Sequence, residues 1–244
     1  MKTISKSTDR LSPRWNPTMI EGYEIGRAHA RMKNPIMSGM LEGITQPIYD
    51  EYRVALANAL PVVPLFTVPI GGQYNQGGVV AFNKTALNTN MVQAGVLPAP
   101  NKLIVRAIYQ AIAGLPGTNP APNPLDMQAY LFTTLFDFQV NTKSYSKQNA
   151  VAYPAGGGVF ASISNNAAAV AAIGIPVNGW PDVRNAYSFA YGGIPIEQQQ
   201  NFTVILDPTQ DTAVYTTAAA AAVPAGTGLR VVVKLDGTLF RAVQ

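Results

Sequence analysis

Residues Phe132 to Lys147 read FTTLFDFQVNTKSYSK. From Phe136 the stretch alternates: Phe136, Phe138 and Val140 point one way, and Asp137, Gln139 and Asn141 the other. A period of two is an extended strand with one buried face and one polar face. Aromatic and β-branched side chains on the apolar side suit a pleated, packed surface. The stretch therefore predicts a sheet packed on one side, with the rest of the chain as further strands and long excursions around it.

Working outward, Lys102 to Ala113 (KLIVRAIYQAIA) has a composition compatible with a helix, but Ile104, Val105 and Ile108 favour a strand with both faces partly covered. Val62 to Ile70 (VVPLFTVPI) reads as a strand that Pro64 and Pro69 confine to an edge, a bulge or its own ends, since neither can donate to a ladder. Val79 to Pro100 reads as an ordered loop with an Asn-rich middle and one short strand, and Gly114 to Pro124 (GLPGTNPAPNP) as a rigid loop leading into the opening strand. Tyr187–Ala190, Gly192–Glu197 and Phe202–Leu206 predict short strands. Leu229–Leu235 and Thr238–Gln244 flank Asp236-Gly237, which predicts a type I′ hairpin with Val233 opposite Phe240. These seven or eight strands lack βαβ alternation and internal repeats. A single jelly roll, an antiparallel two-sheet sandwich with long loops, is the economical all-β architecture.

Residues 1–60 differ from the 61–244 jelly-roll domain: they carry eight of the 17 basic and six of the 13 acidic residues. They predict an N-terminal arm followed by helical or extended structure, with helices over Met19–Met32 and Tyr49–Leu60. In the second, Asp50 and Glu51 suit a helix N-terminus and Pro61 a stop. Trp15 is a candidate anchor.

The 244 residues are enough to bury about 70% of the unfolded surface in one large β domain. Charged residues make up 12%, about half the usual share. A surface made polar by Asn, Gln, Ser, Thr and Tyr fits either an ordinary β protein with a neutral surface or one packed in an assembly, where unpaired charge is disfavoured. The net charge of +4 is dispersed, and no run of four basic residues supports a nucleic-acid groove. With no cysteine and one histidine, His29, disulfides, thiolate catalysis and His- or Cys-based metal sites are excluded. Asp207 and Asp211 lack an EF-hand frame and read as turn caps. The Gly156–Gly158 run lacks a phosphate-loop frame. No export signal and no run of eighteen apolar residues is evident, so synthesis in the cytoplasm is the simple expectation. No catalytic constellation, cofactor or small-molecule substrate is expected.

Three stretches, NKTALNTNMVQAGVLPAP (Asn83–Pro100), GIPIEQQQNFTVIL (Gly193–Leu206) and LRVVVKLDGTLFRAVQ (Leu229–Gln244), resemble parts of jelly-roll major capsid proteins of tailless icosahedral bacteriophages, some with an internal membrane. The resemblance implies a shell subunit found in the virion. Its partners would be copies of itself in trimers or hexamer-like capsomers and other capsid proteins. It carries no catalytic residue. Within that reading Lys2, Lys6, Arg10 and Arg14 are candidates for weak contact with genome or internal membrane. Trp15, Trp180, Tyr187 and Tyr191 are candidates for contacts between subunits, because large rigid rings with one polar tip suit interfaces. The rival readings are a spike, vertex or fibre protein and a carbohydrate-binding β-sandwich module.

Overall fold

The computed structural model describes residues 41–55, 61–74, 81–114, 124–153, 186–190, 192–210 and 228–242. The strands in chain order are β1 (Leu41–Thr45), β2 (Ile48–Ala55), β3 (Val63–Leu65), β4 (Gln73–Tyr74), β5 (Phe82–Asn83) and β6 (Lys102–Gly114). After helix α1 (Pro124–Thr133) come β7 (Leu135–Val140), β8 (Lys143–Asn149), β9 (Tyr187–Ser188), β10 (Ile194–Ile196), β11 (Phe202–Asp207) and β12 (Gly228–Ala242). The expected antiparallel, two-sheet, all-β organisation is present. One sheet runs β1–β12–β6–β10, with β2 also on β12 and β9 also on β6; the other runs β3–β11–β7–β8. A separate two-stranded ribbon joins β4 to β5.

The two sheets share one apolar core. Phe136, Phe138, Val140, Phe202, Val204 and Leu206 enter it from the smaller sheet, and Val105, Ile108, Ile112, Val231, Val233 and Leu235 from the larger. The opening strand behaves as its alternation predicts, with those three β7 side chains buried. Asp137, on the other face, is held by Ser144 Oγ at 2.5 Å and Gln139 Nε2 at 2.7 Å. The Lys102 segment is a strand, as its β-branched residues suggest. Pro64 lies in edge strand β3 opposite Ile205, where its missing N–H costs no ladder bond on the open side.

Three local expectations are corrected. The first is the Asp236-Gly237 hairpin: β12 is one continuous strand through that dipeptide, paired with β6 on one side and with β2 and then β1 on the other. Val233 therefore faces Gln110 and Asp50, and Phe240 faces Gly43 and Lys102. The irregularity lies across the ladder. Asp236 pairs with Ala107 and Gly237 with Val105, so Arg106 is the extra residue of a bulge in β6. A Cβ on Gly237 would lie 1.8 Å from the Ile104 carbonyl oxygen. Glycine serves here for close backbone approach rather than for a left-handed turn.

The second is the Tyr49–Leu60 helix. Residues through Ala55 are β2, registered against Gly228–Leu235. Burying Ile48 and Tyr52 on one face outweighs the helix-compatible composition. Residues 41–55, read from sequence as part of the front segment, thus belong to the larger sheet. The third is α1, which stands where the sequence reading ran the Gly114–Pro124 loop directly into the opening strand. Tyr130 and Leu131 bury its inner side, and Tyr52 and Tyr130 join their hydroxyls. The Met19–Met32 helix, His29 and the Gly156–Gly158 run lie outside the described residues. Among the described residues no helix is long and apolar enough to cross a membrane.

Candidate functional site

The most elaborate polar constellation lies at the edge of the larger sheet. In β2 the alternation Ile48, Asp50, Tyr52 carries a carboxylate inward, so that Asp50 is fully buried between two core side chains. Lys84, which follows β5, turns back over the edge and places Nζ 2.5 Å from Asp50 Oδ1, with neither side chain exposed. The other carboxylate oxygen accepts the Phe66 backbone N–H at 2.6 Å, and the Thr89 hydroxyl also reaches the carboxyl. Phe66 adopts φ 67°, in the left-handed region, and its carbonyl accepts from Gly95 N at 2.8 Å. A bulky residue is held there only because its surroundings fix it. The Lys84 ammonium lies 4.8 Å from the Tyr74 ring centre.

Burial dominates the electrostatics. Desolvation pushes the Asp50 pKa up, against the opposing pull of Lys84 and the Phe66 N–H. Desolvation pushes Lys84 down, against the pull of Asp50 and Glu51. Removal from water thus disfavours the charged form of each partner. The Tyr74 hydroxyl is buried without a hydrogen-bond partner, and burial beside Asp50 raises its pKa and keeps it neutral.

On the opposite face of β2, Glu51 is equally buried. It accepts from Arg230 at 2.6 Å, Arg53 Nε at 3.1 Å and Asn88 Nδ2 at 2.8 Å. The Arg53 guanidinium lies 4.1 Å from the Phe82 ring centre. Residues 84–90 therefore form a strap with Lys84 inside the edge strand and Asn88 outside it. Asn90 Oδ1 accepts from Tyr49 N at 3.0 Å, and Asn90 Nδ2 donates to the Pro47 carbonyl at 2.8 Å. The strap occupies backbone groups of an edge that another strand would otherwise extend.

Exposed apolar groups occur on this strap and at the far end of α1. Leu87 at the strap turn is 82% exposed and Val92, after Met91, is 68% exposed. Ile70 is tied beside them by its N–H to the Met91 carbonyl at 2.9 Å. Phe132 at the end of α1 is 55% exposed, and Asn149 bridges it to Val151 by donating to the Phe132 carbonyl and accepting from Val151 N. A cleft of about 200 Å³ opens between Ile48, Met91, Leu97, Leu239 and Arg241. Among the described residues no group of three or more His, Asp or Glu is arranged to hold a metal ion.

Of the residues singled out from sequence, Tyr187 is described. It is half-buried, 5.0 Å from the Tyr153 ring and edge-on to Phe189 at 5.4 Å. That row continues through the stacked Tyr153–Phe136 pair at 3.9 Å. Lys2, Lys6, Arg10, Arg14, Trp15, Trp180 and Tyr191 lie outside the described residues. Asp207 caps its own turn, as expected, by accepting from Thr209 N at 2.9 Å and Thr209 Oγ1 at 2.6 Å; Asp211 lies outside. The sequence reading missed Asp50, Glu51 and Lys84. One signal was present: Lys84 is the sole charged residue between Arg53 and Lys102. Comparison with protein-family models, curated proteins and solved structures finds no match to this chain.

Proposed function

We propose that the chain is a jelly-roll structural subunit that self-assembles into an icosahedral viral shell. The observation that carries this reading is the order of strands. Taking β1 with β2 and β9 with β10 as single positions, and leaving out the β4–β5 ribbon, the two sheets have eight positions. One sheet runs first, eighth, third, sixth; the other runs second, seventh, fourth, fifth. First pairs with eighth, second with seventh, third with sixth and fourth with fifth, all antiparallel. That is the order produced by rolling up a long antiparallel hairpin, the arrangement common among viral shell proteins.

The surface supports assembly rather than turnover. Leu87 and Val92 on loops and Phe132 at the end of α1 offer apolar contacts, and full burial of such a side chain favours association by about 1.5–3 kcal/mol before ordering costs. The strap over β2 directs association toward loops and sheet faces, away from strand addition. Closed symmetry would multiply such modest contacts across many copies. Lys2, Lys6, Arg10 and Arg14 are proposed to meet genome or anionic lipid inside, which deletion of residues 1–16 tests through assembly and cargo content.

Light scattering after size exclusion, with negative-stain microscopy of the same material, tests the shell reading. Cages, or capsomers of three or six chains, are expected. A chain that stays monomeric at high concentration and is absent from the shell of its native particle overturns it. An elongated trimer favours a spike, and a glycan-binding monomer a carbohydrate module.

A further inference from the structure

We infer that Lys84 and Asp50 condense to an intramolecular isopeptide bond that staples the strap to strand β2. The geometry is that of a held nucleophile and acceptor. Lys84 Nζ is 2.5 Å from Asp50 Oδ1, and both side chains are inaccessible to solvent. The Phe66 N–H, 2.6 Å from Oδ2, stands where negative charge develops when the carboxyl carbon is attacked. Its φ of 67° directs that N–H at the carboxyl, a use for an otherwise unfavourable backbone.

The step balances without an outside reagent. A proton passes from the ammonium to Oδ1, giving an amine beside a carboxylic acid. Desolvation favours this neutral pair, since it raises the acid and lowers the amine. Nζ then attacks Cγ: the C–N bond forms, and Oδ2 takes the electron pair under the Phe66 N–H. The second proton on Nζ moves to Oδ1, the C–Oδ1 bond breaks, and one water leaves. The product is a neutral amide in a site that disfavours charge. Positioning supplies the rate advantage usually given to an intramolecular reaction, while Tyr74 and Phe66, both fully buried, help keep bulk water out.

The inference does not depend on the shell reading and would hold for any role of the chain. Its test is the intact mass of the purified folded protein, compared with that of Lys84→Arg, which keeps a cation but lacks the amine. The expected wild-type mass is one water below that of its sequence. A tryptic digest is expected to yield a branched peptide joining the Asp50 and Lys84 segments, with no cleavage after Lys84. The arginine variant is expected at its full sequence mass. Should Lys84→Arg fail to fold, the wild-type measurement alone decides. A wild-type mass equal to its sequence, with linear peptides for both segments and cleavage after Lys84, means a non-covalent ion pair only and overturns the inference.

Discussion

Gly237→Asn separates two backbone arrangements of the same dipeptide. In a type I′ turn asparagine would be well tolerated, because it adopts the left-handed conformation readily. In the continuous β12 strand the added Cβ would lie 1.8 Å from the Ile104 carbonyl oxygen and 2.8 Å from its carbon. The first distance must open by at least 1.2 Å to reach the 3.0 Å below which Cβ contacts essentially never occur. That is about a quarter of the normal 4.8 Å spacing between strands, enough to break the neighbouring β6–β12 hydrogen bonds. Two or three such bonds at about 1 kcal/mol each, with about 1–2 kcal/mol of disturbed packing under Leu235 and Leu239, give a loss of about 3–5 kcal/mol. With a urea dependence of about 2–3 kcal/mol per molar, the midpoint falls by about 1–2.5 M. Urea unfolding followed by far-ultraviolet circular dichroism measures it. A midpoint within about 0.3 M of wild type would refute the bulge and restore the hairpin.

Lys84→Met removes the amine that the proposed staple requires and leaves the Asp50 carboxyl buried without a partner, which is expected to cost about 3–5 kcal/mol in chemical unfolding. In this variant nothing cationic offsets desolvation, so the folded pKa of its Asp50 lies above the unfolded value. The deficit of this variant should therefore shrink as pH falls toward 3.8 and grow as pH climbs through the raised value. Burial pushes the Tyr153 hydroxyl up from 10.0 to about 12. Its contribution is full below the unfolded value and is lost as pH rises through that interval, so Tyr153→Phe should move alkaline unfolding to higher pH. The same variant gives up the Ser146 hydrogen bond, worth about 1 kcal/mol near neutrality. Leu87→Ser should leave stability within about 0.5 kcal/mol while weakening the proposed self-association, read by light scattering.

Legibility followed the locality of the cause. Phe136, Phe138 and Val140 declare β7 by alternation, and Ile104, Val105 and Ile108 declare β6 by side-chain type, because each signal lies within one strand. The Asp236-Gly237 reading failed because local turn chemistry was weighed above a longer pattern. Leu229, Val231, Val233, Leu235 and Leu239 keep one parity straight through the dipeptide, and all are buried. Strand β2 was obscured by Asp50 and Glu51. They resemble the acidic first turn of a helix, but their partners, Lys84 and Arg230, are remote in sequence. A buried carboxylate is recognisable only with its cation, and no local pattern announces that pairing. The isolation of Lys84 in an otherwise uncharged stretch was the nearest hint.

The long strand β12 also dictates when the larger sheet can form. Leu41 finds Ala242, and Tyr52 finds Val231, across nearly the whole described length. While the ribosome is still making the middle of the protein, β1, β2 and β6 have emerged but their shared neighbour has not. Such distant pairing slows folding and leaves apolar edges waiting. A cell producing many copies at once would therefore be expected to hold nascent chains on chaperones until residues 228–242 appear, and slower translation would not relieve that dependence.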